Sequence, residues 1–172
     1  IEYILLSRCG ANSLQCGGSL AVMFRGVSPI NMDAKGRLAI PSRYRDALNE
    51  LSAGRLVANI HLRKPCLVLY PLPVWDDLQA ELQELSTLKP ETGSLKRMML
   101  AYASDLEMDA NGRILIQAEL REHAQLAKKI VLAGQGRNLE IWSEQLWQAE
   151  CEAAFEQAKS MPLPEELFEI GF

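Results

Sequence analysis

Two short stretches of this chain place an aspartate, a glycine and an arginine at the same spacing. Residues 31–45 read NMDAKGRLAIPSRYR and residues 107–121 read EMDANGRILIQAELR. At an offset of 76 they align Asp33 with Asp109, Gly36 with Gly112, Arg37 with Arg113, Ile40 with Ile116 and Arg45 with Arg121. A carboxylate three residues before a glycine and four before an arginine can do two kinds of chemistry. It can accept backbone N–H bonds and the arginine's own N–H, bracing a turn. It can also leave a cationic tip facing outward, where Arg and Lys meet phosphates or the O6/N7 edge of guanine. In the first copy Lys35 stands two residues before Arg37 and Arg25 lies on the preceding strand. In the second copy the neighbours of Arg113 are Asn111 and Ile114. Arg37 is therefore the stronger candidate for an outward role, and Arg113 for a bond to its own Asp109.

The elements around these motifs repeat as well. D-A-K-G and D-A-N-G each predict a tight turn, Asp at its first position and Gly at its fourth. Each is read as a hairpin, between VSPINM and RLAI and between SDLEM and RILI. RLAIPSRYRDAL predicts a strand, a proline that stops it, and a helix with Ser42 near its start. VANIHL, CLVLYP, KKIVLAG and NLEIW predict further strands. LVLYPLPVW and LEIWSEQLW correspond at an offset of 72, so the second copy is four residues shorter in between. Trp75, Leu78, Leu82 and Leu85 mark one amphipathic helix. KPETGS is expected to break it before a second helix carrying Leu95, Met98, Met99 and Tyr102. These stripes read as core or subunit contact. A last helix carries Leu146, Trp147, Cys151 and Phe155. The expected division is an N-terminal extension over 1–22, a first repeat over 23–71, connecting helices over 72–104, a second repeat over 105–147, and a C-terminal helix with an acidic tail over 148–172. Residues 1–22 resemble nothing later in the chain. With Met23 opening the patterned part, they read as a non-native or disordered extension.

Composition bounds the function. The formal net charge of −4 argues by itself against a nucleic-acid binder, but it hides an uneven spread. Residues 23–66 carry eight Lys and Arg against three acids, a balance of +5; residues 140–172 carry one Lys against eight Glu, a balance of −7. The basic part can meet phosphates while the acidic end favours solubility. The four cysteines form no metal or disulfide spacing, and Cys66, inside CLVLY, reads as a small core residue. G-Q-G at 134–136 lacks the rest of a phosphate-binding motif. His61 and His123 are isolated. Asp33 and Asp109 are pseudo-symmetric, yet as turn residues they lack the shared cleft that paired acid catalysis needs. No enzyme and no cofactor are expected.

MFRG at 23–26, DAKGRLAIPSRYR at 33–45, DANGR at 109–113 and CLVLYPLPVW together resemble the bacterial MraZ family, over essentially all of 23–172. That resemblance implies an α+β fold of the AbrB-like superfamily. Two internal repeats would interlock their hairpins into one pseudo-symmetric swapped-hairpin β-barrel, flanked by helices and assembled into a ring. It implies a cytoplasmic, nucleoid-associated repressor of the division and cell-wall gene cluster that binds direct repeats in its own promoter as a homo-oligomer. It places DNA contact on Arg25, Lys35 and Arg37, with the second copy closing the barrel. The alternative within the same superfamily is an antitoxin-type DNA-binding protein with a protein partner. Arg43 and Arg45 stay open between DNA and structure, and Arg45 leans to structure because Arg121 repeats it.

Overall fold

The computed structural model describes residues 23–85 and 90–160. The extension over 1–22 and the tail beyond residue 160 lie outside the described residues. Among the described residues, eight strands and five helices follow one another: β1 (Val27–Asn31), β2 (Arg37–Ala39), α1 (Ser42–Ser52), β3 (Arg55–Ile60), β4 (Leu67–Pro71), α2 (Leu72–Glu84), α3 (Pro90–Ala101), β5 (Ser104–Glu107), β6 (Arg113–Leu115), α4 (Ala118–His123), β7 (Lys129–Gly134), β8 (Leu139–Ser143) and α5 (Glu144–Ser160). The fold is α+β with antiparallel pairing throughout. No helix among the described residues is long and apolar enough to cross a membrane.

The two turns form as the sequence predicts, but the hairpins around them do not. β1 and β2 meet only at an isolated bridge between Met32 and Leu38. Each strand finds its main partner in the other repeat. β1 pairs with β7, β5 pairs with β3, and β2 pairs with β6. The physical reason lies in the inward residues. Leu38 and Ile114 are opposite one another in the β2–β6 ribbon and both are fully buried, so each completes the other's core. A closed local hairpin would bury neither half's apolar face.

The larger sheet has the order β1-β7-β8-β4-β3-β5, and β2-β6 stands apart as a two-stranded ribbon. Its hydrogen bonding is therefore that of an open sheet plus a ribbon; the single closed barrel expected from the resemblance is not drawn by these ladders. The order reads as its own reverse when the repeats are exchanged, so a pseudo-two-fold passes between Leu38 and Ile114 and between Val68 and Glu140. The four-residue shortfall of the second copy falls in two places. Two residues are missing between the helix and third strand of the repeat, and two between β7 and β8, where four residues replace the six between β3 and β4.

One core serves both halves. Leu38, Ile40, Leu48, Leu56 and Leu69 of the first pack with Ile114, Ile116, Ile130, Leu132 and Ile141 of the second. On the other face of β3, Val57 packs with Trp75 and Met99, which is why β3 is buried on both faces. Asn59 sits wholly buried there; its Nδ2 donates to the Met99 carbonyl at 2.7 Å and holds α3 against β3. α2 ends at Glu84 and α3 begins at Pro90, so the two helices are separate as expected, but PETGS belongs to the second helix and not to the break. Proline in a first helical turn forfeits no bond, because its N–H would have no partner there. Ser42 is the first residue of α1 after Pro41, but no side chain caps that end. Cys66 is buried beside Val131 and Trp142, and burial, with Glu140 and Glu150 nearby, pushes its thiol up to about 12. Leu146 and Trp147 of α5 cover that cluster, whereas Phe155 further along stays 68% exposed.

Candidate nucleic-acid interface

Each turn is braced by one aspartate. Asp33 Oδ1 accepts the backbone N–H of Lys35 and of Arg37, both at 2.9 Å, and its Oδ2 accepts Arg37 Nε at 2.8 Å. Asp109 does the same, with Oδ1 taking the N–H of Asn111 at 2.8 Å and of Arg113 at 2.9 Å, and Oδ2 taking Arg113 Nε at 2.9 Å. The backbone closes each turn between the Gly N–H and the Asp carbonyl, at 3.0 Å for Gly36 and 2.8 Å for Gly112. Both glycines have positive φ, +86° and +73°. They also leave room for the other repeat. A Cβ on Gly36 would lie 2.8 Å from Arg121 Nε, and one on Gly112 would run into Arg45 Nε. The Ile40 N–H donates to the Gly112 carbonyl and the Ile116 N–H to the Gly36 carbonyl, at 2.8 and 2.9 Å. Each turn is thus held by its own aspartate and seated under an arginine of the opposite repeat. This settles Arg45 as structural: its Nε also donates to the Ile40 carbonyl at 2.6 Å.

Accepting several N–H groups favours the ionised carboxyl, so both aspartates sit below the ordinary value. The largest cause in each is the backbone N–H of the arginine four residues on. The unfolded chain takes up protons first as pH falls, so this stabilisation is complete above the usual aspartate value of about 3.9 and is lost as pH drops through the lower folded value. A thermal-melting series from pH 5 to pH 2.5 is expected to show a steeper fall below pH 4 for the wild type than for Asp33→Asn/Asp109→Asn. Parallel curves would remove these turns as a source of acid sensitivity.

The expectation that Arg37 is freer than Arg113 does not match the geometry. Both are tied to their own aspartate, and the two arginine side chains are 39% and 40% exposed. They also share a surface. In β2 and β6 only the central residue points inward, so Arg37, Ala39, Arg113 and Leu115 all stand on the outer face. Arg37 lies opposite Leu115 and Arg113 opposite Ala39, which makes the arginines diagonal neighbours roughly 7–8 Å apart at the backbone. Leu115 is 51% exposed between them. The turns lie at opposite ends of this ribbon, with Lys35 at one tip and Asn111 at the other, and both residues are exposed.

Arg25 is elsewhere. It precedes β1, while the Lys35 turn follows it, so the whole of β1 separates them. Its backbone packs on Gly134, and its carbonyl accepts the Tyr44 hydroxyl at 2.8 Å. Arg43, left open by the sequence, fastens α1 to the start of β1. It donates to Ser28 Oγ and Tyr44 Oη, and its guanidinium sits 4.6 Å from the Tyr44 ring centre. The repeat equivalents of Arg25, Lys35 and Arg43 are Ala101, Asn111 and Glu119. The tips of the ribbon therefore differ, cationic at Lys35 and neutral at Asn111, while Arg37 and Arg113 share its outer face. The remaining chemistry candidates are engaged structurally. His61 Nδ1 accepts the N–H groups of Arg63 and Lys64, and His123 lies against Tyr102.

A family model described as "MraZ protein, putative antitoxin-like" matches residues 23–98 and again residues 99–169. A relative named "Transcriptional regulator MraZ" from Histophilus somni (strain 2336) is 52% identical over 130 residues, 76% of this chain and 86% of the relative. Relatives of the same name from Yersinia pseudotuberculosis serotype O:1b (strain IP 31758) and Serratia proteamaculans (strain 568) are 45% and 44% identical over 151 residues, 87% of this chain and 99% of each relative. With its two matched halves, its two braced turns and these relatives along most of its length, the chain belongs to the MraZ family.

Proposed function

We propose that this chain is a DNA-binding transcriptional regulator, a repressor of the division and cell-wall gene cluster, that grips direct repeats in its own promoter as a ring-shaped homo-oligomer. The observation that carries this reading is the outer face of the β2–β6 ribbon, with Arg37 held rigidly at its surface and Lys35 at its cationic tip. A two-stranded ribbon fits the major groove, and a pre-braced arginine offers a planar fork to guanine with little ordering cost. The name carried by the relatives supports the regulatory role. The exchange of strands between repeats supports the swapped-hairpin architecture for the unit that bears this face. In this reading Lys35 and Arg37 face the groove, and Arg25, a strand's length away, meets the phosphate backbone. The protein works in the cytoplasm, at the nucleoid.

One subunit supplies few cationic contacts. Even if all three cations neutralised phosphates the salt slope would be only about −2.7, which means weak binding at physiological salt. Tandem repeats spaced near one helical turn, about 10–10.5 base pairs, let several subunits bind one DNA face, and effective concentration multiplies their affinities. The test is a gel-shift series on the DNA upstream of the chain's own gene, with one, two and three repeats, at several salt concentrations. Affinity and salt slope are expected to climb with repeat number. Equal affinity across the series would defeat the multivalent reading, and no binding even in dilute buffer would defeat the DNA-binding reading itself.

A further inference from the structure

The two braced turns differ less in geometry than in their tips. Their aspartate–arginine locks agree within 0.1 Å, their arginines are equally exposed, and both stand on one face of one ribbon. Nothing in that arrangement reserves the face for one repeat. What differs is chemical identity at equivalent positions: Lys35 against Asn111 at the tips, and Arg43 against Glu119 at the helix starts. Among the described residues, neither tip side chain makes a hydrogen bond or ion pair, so both are available to a ligand.

We infer that the second turn is the other half of the same DNA-reading face, and that Lys35 and Asn111 give this face a direction. The inference rests on the DNA-binding reading above. A face built from two identical hairpins has two-fold symmetry and matches a palindrome. Here the ribbon keeps the two-fold in its backbone and breaks it in its side chains. Lys at one tip suits the paired acceptors of guanine, whereas Asn at the other donates and accepts in the pattern of adenine N6/N7. One unit therefore reads a non-palindromic element, guanine toward Lys35 and adenine toward Asn111. A directional element is also what allows repeats to stand in tandem, each read the same way round.

The experiment uses the full chain and three duplexes: one repeat unit from its own upstream DNA, and two palindromes, each made by doubling one half of that unit. Asn111→Lys should fold normally, because lysine already occupies the matching position of the first turn and only the backbone N–H of Asn111 serves Asp109. The wild type is expected to prefer the natural unit. Asn111→Lys is expected to shift preference toward the palindrome of the guanine half by roughly 10-fold, and Lys35→Asn toward the other palindrome. Arg113→Ala is expected to weaken binding of the natural unit about as much as Arg37→Ala does. The inference is overturned if wild type binds but Asn111→Lys leaves the order of preference unchanged, including the case where it tightens all three equally. It is overturned also if Arg113→Ala binds like wild type. Failure of the wild type on every duplex would instead remove the DNA-binding reading on which all this stands.

Discussion

Arg37→Ala is expected to lose binding to promoter DNA while keeping the fold. A well-placed arginine fork on guanine is worth about 1–3 kcal/mol, so a single repeat should be bound roughly 5- to 150-fold more weakly. On DNA with three repeats the losses multiply across subunits, and a discrete complex should vanish at concentrations that shift the wild type fully. Stability should barely move. The Arg37–Asp33 pair is exposed on both sides, and such solvent-screened surface pairs add little to stability. Arg37→Lys is expected to rescue little, because an ammonium cannot keep the bond to Asp33 and present a planar fork together. Arg25→Ala should weaken binding less than Arg37→Ala and mainly flatten the salt dependence, as a phosphate contact would. Gel shift beside circular dichroism and sizing separates the two effects. An Arg37→Ala protein that binds as tightly as the wild type would end the assignment of this residue.

Cutting the chain between its repeats is expected to unfold both pieces. A fragment over 23–85 keeps the β3–β4 hairpin but loses the partners of β1 and β2 and the second partner of β3. Leu38, Ile40, Leu56 and Ile60 would be uncovered, each at about 1.5–3 kcal/mol, against a total stability of roughly 5–15 kcal/mol for an ordinary domain. The fragment should be disordered when dilute. At high concentration it should pair with itself, since two first repeats can supply one another's missing strands. Mixing it with the complementary fragment should restore native helix and sheet signals. A folded, monomeric 23–85 fragment would contradict the shared core.

Much of this was legible in the chain itself. The Asp–Gly–Arg spacing announces the turns, and the offset alignment announces two equivalent halves, because local backbone geometry depends on local residue types. Strand exchange was not legible in the residues themselves; only the family resemblance implied it. VSPINM and RLAI on either side of a tight turn read as partners, and only the choice between burying Leu38 against its own repeat or against Ile114 sends them apart. That choice belongs to the whole core. The same blindness hid the kinship of Arg37 and Arg113. Sequence neighbours made one look basic and the other neutral, while the ribbon sets them side by side. Arg43 and Arg45 could not be assigned from spacing alone, because their partners, Ser28 and the Gly112 turn, lie far off in sequence. PETGS was placed in the break and not in the helix it opens, because proline and glycine punctuate loops as readily as they open helices.

The pairing of Val27 with Ala133 has a bearing on how the protein is made. A ribosome adding about 5–20 residues per second needs roughly 5–20 seconds to travel from one to the other. During that interval the first strand has left the exit tunnel with no partner yet in existence. Pro29 sits in its middle and cannot offer an N–H to a passing strand, which makes the waiting segment a poor template for clumping with its neighbours on a polysome.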